Sequence, residues 1–281
     1  MHPTLFKIGS FEIGSFGLMV AIGFFAAYWV GMKEATRKGI AEDRFANFII
    51  ITLLAGLLGA KLLHVWVYLG QDSIKNLFFS RSGLVFYGGL IAGIPTGYYL
   101  TRKYGWNPWM VADIAAVAIP IGHFFGRIGC FLNGCCFGRE CGLPWAVRFP
   151  KIVNQEGYIV GSEPYSFQLS LSKLSGSEPY SLPVHPTQLY SALGALLTFA
   201  FLYFYLSKRS RFRGELALWY LLLYSTYRFI VEIFRADPRG GWHSLSTSQW
   251  ISVGLFALAI CLWGPLKKTQ TIGNGQMEEN T

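Results

Sequence analysis

Charge is what this chain has least of. Only 14% of its 281 residues are Asp, Glu, Lys or Arg, against roughly 25% in an ordinary soluble chain. That shortage excludes a water-soluble globule. The net charge of +9 would suggest nucleic acid if it were gathered on one domain. It is not gathered: the basic residues are parcelled into short gaps between apolar runs, as topology signals are, so no nucleic-acid partner is expected. No cleaved secretory signal peptide is expected, because the opening HPTLFKIGSFEIGS is too uncharged and too long to resemble one with an A-x-A site. Four cysteines, Cys130, Cys135, Cys136 and Cys141, follow the spacing C-x4-C-C-x4-C. This lacks a CxxC pair, and no histidine follows at ligand distance, which argues against zinc. No metal and no cofactor are expected. Disulfides are the better reading for such cysteines in an outer compartment, with the pairing left open. The two halves show no inverted or parallel repeat, the sequence mark of many secondary transporters.

What remains is apolar. Hydrophobic residues make up 52% of the chain and the mean hydropathy is +0.37. Runs of about 17–25 apolar residues are long enough to cross a bilayer as helix, and they predict an all-α polytopic membrane protein with about seven transmembrane helices. These span about residues 13–32, 45–69, 84–100, 110–132, 185–206, 215–234 and 249–263. Residues 1–268 read as one transmembrane domain, 133–184 as a small irregular or β excursion outside the bilayer, and 269–281 as a disordered cytoplasmic tail. The excursion carries an imperfect repeat, SEPYSFQLSLSKLSG then SEPYSLP, whose alternation suggests β-hairpins. Lysines and arginines concentrate after the first, third, fifth and seventh helices, at Lys33, Arg37, Lys38 and Arg44, then Arg102 and Lys103, then Lys208 to Arg213, then Lys267 and Lys268. By the positive-inside rule the C-terminus is cytoplasmic and the N-terminus outside.

On that topology the ends of the fourth and sixth helices, and the excursion, face outward. Buried arginine costs at least ~2.5–3.5 kcal/mol on insertion scales, so Arg127 and Arg228 need a partner, a wet cavity or an anionic ligand. Arg228 and Glu232 are four apart and share a helix face, with Arg235 a turn further on. A structural ion pair tethering two helices explains them as well as a site does. Lys61 and Asp113 can snorkel or sit in a polar seam, and His64 and His123 read as satisfied bundle residues.

The run FGRIGCFLNGCCFGR resembles the signature of the prolipoprotein diacylglyceryl transferase family, G-R-x-G-N-F-x-N-G-E-x-x-G. SFGLMVAIGF in the first helix, GLVFYGGLIAG in the third, VHPTQLYSA opening the fifth and YRFIVEIFRAD in the sixth match further family stretches in the same order. The resemblance implies a seven-helix fold with the N-terminus outside, in the bacterial cytoplasmic membrane, working as a monomer. It implies transfer of the diacylglyceryl group of phosphatidylglycerol to the lipobox cysteine thiol of a preprolipoprotein, with release of glycerol phosphate. The partners are then phosphatidylglycerol, the preprolipoprotein signal peptide and membrane lipid. On the matching positions Arg228, Glu232 and Tyr87 are the catalytic candidates. Arg127, Asn133, Gly138, Gly88, Gly89, His185, Gln188 and Arg235 are the candidates for holding phosphatidylglycerol.

The chain also departs from the family. Tyr87 stands where the third-helix motif has histidine, Cys130 and Cys135 replace the signature's asparagine and glutamate, Ser191 replaces the fifth-helix glutamate, and Phe16 replaces a tyrosine. The base for the thiol is therefore open between Tyr87, Glu232, His185 and attack by adventitious thiolate. The alternative reading is a non-catalytic binding protein for anionic phospholipid, or a lipid or anion transporter, of the same fold.

Overall fold

The computed structural model describes residues 4–8, 11–70, 73–79, 83–153, 162–236, 240–242 and 245–270. After the antiparallel hairpin of β1 (Thr4–Ile8) and β2 (Phe11–Gly14) the described chain is mainly helical. The helices are α1 (Ser15–Arg37), α2 (Glu42–Val67), α3 (Ile74–Phe79), α4 (Phe86–Lys103), α5 (Pro108–Asn133), α6 (Glu163–Ser170), α7 (Thr187–Ala200), α8 (Glu215–Ile233) and α9 (Thr247–Thr269). A second two-stranded ribbon, β3 (Gly241–Trp242) with β4 (Leu245–Ser246), precedes α9. The chain folds as two compact units, one formed by Met1–Ala27 with Ala115–Thr281 and the other by Tyr28–Ile114.

Six helices, α1, α2, α5, α7 with its continuation to Leu206, α8 and α9, are long and apolar enough to cross a membrane. Their large side chains face outward: Leu54, Leu58 and Leu62 of α2 are all more than half exposed. This suits a helix whose backbone is satisfied internally and whose flank meets lipid. The protein is thus an all-α polytopic membrane protein. The third of the seven expected spans is present as α4, whose 18 residues are long enough, but its glycines, tyrosines and threonines and the terminal Arg102 and Lys103 leave it less apolar than the six.

In the Tyr28–Ile114 unit, α2 and α4 meet through small residues. A Cβ added to Gly88 would come within 2.3 Å of the Gly59 carbonyl oxygen, and one on Gly59 within 2.4 Å of Ala92 Cβ. Gly89 faces Gly56 in the same seam. Close backbone approach of this kind is how helices gain packing where lipid supplies no hydrophobic drive. Ala35, Ile40, Phe45 and Ile114 form a buried cluster with Trp106 and Met110 packed against it. Lys61 reaches the Gly83 carbonyl, 3.4 Å away.

In the other unit, α1 packs on the glycine face of α5, with Gly23 against Gly122 and Phe16 and Met19 against Gly129. Gly194 of α7 lies beneath the Tyr227 ring of α8. From Phe201 to Leu206, α7 widens into a π-helical turn, which Ser207 closes by donating its N–H to the Leu202 carbonyl at 2.8 Å.

The excursion corrects the expected hairpins. Its first SEPYS copy is α6, which begins with an acidic first turn at Glu163 and Pro164 near the start, both favourable to a helix N-terminus. Burial of Tyr165 and the Gln168 side chain, which accepts the Leu182 N–H at 2.8 Å, override the alternation. The second copy is irregular: Glu178 accepts the N–H groups of Ser175 and Gly176, and these bonds, Ser175's first, hold its carboxyl below the usual range. Only isolated bridges such as Val147 with Val184 link the described strands of the excursion, over a core of Phe137, Phe149 and Val184. The expected disordered tail lies outside the described residues from residue 271 onward, while Thr269 ends α9.

Candidate active site

Arg127 lies on α5 one turn after His123 and one turn before Cys130, so the three share a face. Its Nε–H donates to His123 Nε2 at 3.0 Å. With that nitrogen accepting, neutral His123 carries its proton on Nδ1, 3.1 Å from the Tyr227 hydroxyl of α8. This chain of bonds fixes the guanidinium through its inner nitrogen. The terminal nitrogens of Arg127 have no acceptor among the described residues.

Arg228 is held differently. Its Nη1 lies 2.5 Å from Glu232 Oε2, with both side chains less than a tenth exposed, and its Nη2 donates to Ser248 Oγ at 2.8 Å. Glu232 Oε1 accepts from Ser246 Oγ at 2.8 Å, and Arg235 Nε stands 3.9 Å from Oε2. Ser246 also caps α9: its oxygen accepts the Gln249 N–H while Gln249 Oε1 accepts the Ser246 N–H. This reciprocal capping box places the first turn of α9 against the ion pair. Both carboxylate oxygens of Glu232 are therefore occupied.

The segment after α5 is stitched to α7 and α8. Gly134, in the left-handed region at φ +79°, ends the helix, with its N–H and that of Cys135 returning to the Cys130 carbonyl at 2.9 and 3.1 Å. Thr187 Oγ1 donates to the Cys136 carbonyl at 2.8 Å and Gln188 Nε2 to the Cys135 carbonyl at 2.7 Å. Gly138 donates its N–H to the His185 carbonyl, and Arg139 donates its N–H to Phe234 O at 2.7 Å. A Cβ on Gly138 would lie 2.5 Å from His185 O and 2.8 Å from Phe234 O. Gly138→Ala is expected to force these backbones apart at about 1–3 kcal/mol, read as a lower melting midpoint in detergent. An unchanged midpoint would refute the fit.

The cysteines are not paired. All five are free thiols, which corrects the expected disulfides. Instead the turn at Gly134 folds the chain back so that the Sγ atoms of Cys130, Cys135 and Cys136 lie within 4.8 Å of one another. Cys136 sits at φ +61°, and its thiol is bonded by Cys130, by Cys135 and by the Arg235 guanidinium. These bonds, those from Cys130 and Cys135 foremost, pull it below the ordinary thiol range, whereas Cys130 and Cys136 push Cys135 up.

The structure thus brings together Arg127, Asn133, Gly138, His185, Gln188, Arg228, Glu232 and Arg235 in one unit. The Asn133 amide makes no hydrogen bond among the described residues. His185 Nδ1 is 3.2 Å from the Tyr190 hydroxyl, which accepts from Trp145 Nε1. His185 itself precedes α7, whose first residue is Thr187. Tyr87, Gly88 and Gly89 belong to the other unit, where both glycines serve the α2–α4 seam and Tyr87 is exposed in the first turn of α4. His123, expected only as a satisfied bundle residue, holds Arg127 here, and Tyr227, Ser246 and Ser248 were not expected. His123 and Tyr227 were legible as an arginine's neighbours on helix faces, but the two serines are ordinary capping residues until α9 is placed.

The sequence model described as prolipoprotein diacylglyceryl transferase matches residues 3–264. The chain belongs to the prolipoprotein diacylglyceryl transferase family. It is 33% identical over 267 residues to a phosphatidylglycerol–prolipoprotein diacylglyceryl transferase of Clostridium tetani, covering 92% of this chain and 98% of that protein. A similarly named protein of Idiomarina loihiensis is 32% identical, over 97% of this chain and 96% of its own. The second such transferase of Clostridium perfringens is 31% identical, over 94% of each. The chain is accordingly a transferase embedded in a membrane by several helices, and the arginine cluster is the natural place to look for its headgroup site.

Proposed function

We propose that this transferase moves the diacylglyceryl group of phosphatidylglycerol onto the lipobox cysteine thiol of a preprolipoprotein and releases glycerol phosphate. Residues 1–268 act as one transmembrane domain in the cytoplasmic membrane, as a monomer, with the arginine cluster toward the outer face. The observation that carries the reading is Arg127, positioned by His123 and Tyr227 yet offering its terminal nitrogens to no described acceptor. A guanidinium held by its inner nitrogen presents a bidentate edge to a phosphodiester. Two further guanidiniums, those of Arg228 and Arg235, stand beside the Glu232 carboxylate in the same unit, and this concentration of positive charge suits an anionic headgroup.

Asn133 adds a neutral donor for a headgroup oxygen. Gly138, His185, Gln188 and Arg235 hold the segment after α5 in register. Arg228 supplies positive potential that stabilises charge building on the leaving phosphate, and Glu232, with both oxygens bonded, orients it rather than taking the thiol's proton. The two acyl chains enter from the lipid-facing side. Expression in bacteria depleted of their own transferase tests this: a reporter preprolipoprotein should take up label from phosphatidylglycerol. A well-expressed, membrane-inserted chain that leaves the reporter unlabelled would instead make this a phospholipid-binding protein.

A further inference from the structure

The spacing of the cysteines argued against a metal, yet folding brings three of them to one point. From the geometry of Cys130, Cys135 and Cys136 we infer a three-thiolate site for a zinc-type divalent ion, whose open fourth position takes the thiol of the acceptor cysteine.

Zinc bound to thiolate at about 2.3 Å in a tetrahedral site separates its sulfurs by about 3.8 Å. The Sγ atoms already lie within 4.8 Å of one another, so side-chain rotation of about 1 Å closes the site. The backbone around them is fixed. The Cys135 and Cys136 carbonyls are tied to Gln188 and Thr187, Gln188 and Thr187 being buried, and the Cys136 N–H is 3.4 Å from Glu163 Oε2. Three thiolates and a divalent ion leave one negative charge. Two guanidiniums answer it: Arg235, bonded to the Cys136 thiol, and Arg127, one helical turn from Cys130 and close enough for its charge to act on that thiol. Three protein ligands and an open position are the pattern of catalytic rather than structural zinc. The cluster is half-buried rather than sealed, which leaves that position reachable.

The inference rests on the transferase reading and supplies what that reading lacks, a means of making thiolate when Glu232 is occupied. A thiol entering the fourth position gives up its proton to water, because a metal-bound thiol is deprotonated outright. Its sulfur then attacks the glyceryl carbon that carries the phosphate. The C–S bond forms, the C–O bond breaks, and the electron pair leaves with the phosphate oxygen as glycerol phosphate beside Arg127. The metal is neither oxidised nor reduced.

The test uses the untagged full chain in detergent, reduced, stripped with chelator and titrated with zinc against a chromophoric indicator. One zinc per chain is expected, with Cys130, Cys135 and Cys136 protected from maleimide while Cys141 and Cys261 label. Cys135→Ser should weaken binding at least about tenfold, and Cys261→Ser should not. With cobalt in place of zinc, a lipobox peptide should change the visible spectrum and its serine analogue should not. Absence of stoichiometric metal, labelling of all five thiols alike, or a cobalt spectrum blind to the peptide overturns the inference. Full transfer by the metal-free chain also overturns it while leaving the transferase reading intact. A peptide-responsive cobalt site without lipid transfer sustains it and refutes that reading instead.

Discussion

Arg127→Gln is expected to lower kcat/KM for a phosphatidylglycerol donor by about 10²–10³-fold, the loss seen when one preorganised donor to developing charge is removed. Glutamine keeps a donor for His123 but loses the charge and the forked edge that the described acceptors leave free. Arg127→Lys should recover only part of the activity, because a point charge cannot bind two phosphate oxygens in a fixed plane. The measurement is single-turnover transfer to a labelled lipobox peptide, with folding checked by melting. A change of less than about threefold in a folded Arg127→Gln protein would remove Arg127 from the site.

Arg228→Ala is expected to destabilise the fold by about 3–5 kcal/mol, since Glu232 would then stay buried without its main partner. Its side chain is only 4% exposed and its other cation, Arg235, stands back at 3.9 Å. In a chain of this length that corresponds to a fall in melting midpoint on the order of 10 °C. The double variant Arg228→Met with Glu232→Leu should melt well above the single one, because no carboxylate is then stranded beside an absent partner, while remaining inactive. If single and double variants melt alike, the pair is not the buried tether it resembles in the structure. If the double variant keeps full activity, neither residue serves the reaction.

These residues differ in how far the chain itself announces them. Arg127, Arg228 and Glu232 stand out because charge inside an apolar run is costly, and helical spacing already places Arg228 and Glu232 on one face. Helix positions were legible for the same reason, to within a few residues at most ends: α8 is expected at 215–234 and found at Glu215–Ile233. Where local cues compete, the sequence misleads. The SEPYSFQLS segment alternates like a strand, yet Tyr165 and Gln168 find buried sites only if it coils into α6. The ends of the second ribbon and of α9 bring Ser246 and Ser248 onto the ion pair, and nothing near either serine foretells that.

The stretch GHFFGRIGCFLNGCCFGRECG shows the division most clearly. Its residue types alone determine a membrane helix that ends in a polar turn and carries an arginine needing a partner, a wet cavity or an anionic ligand, because hydropathy and the cost of buried charge act locally. The family likeness is equally a property of the linear order of motifs. Whether its cysteines pair, scatter or converge depends on the left-handed turns at Gly134 and Cys136 and on the clamps from Thr187 and Gln188. Those contacts join residues some fifty positions apart, as the 2.7 Å bond from Gln188 to Cys135 does. The turn that brings the three sulfurs together is local, but the clamps from α7 that hold it are tertiary, since contacts between residues remote in sequence follow from how helices pack and not from spacing along the chain.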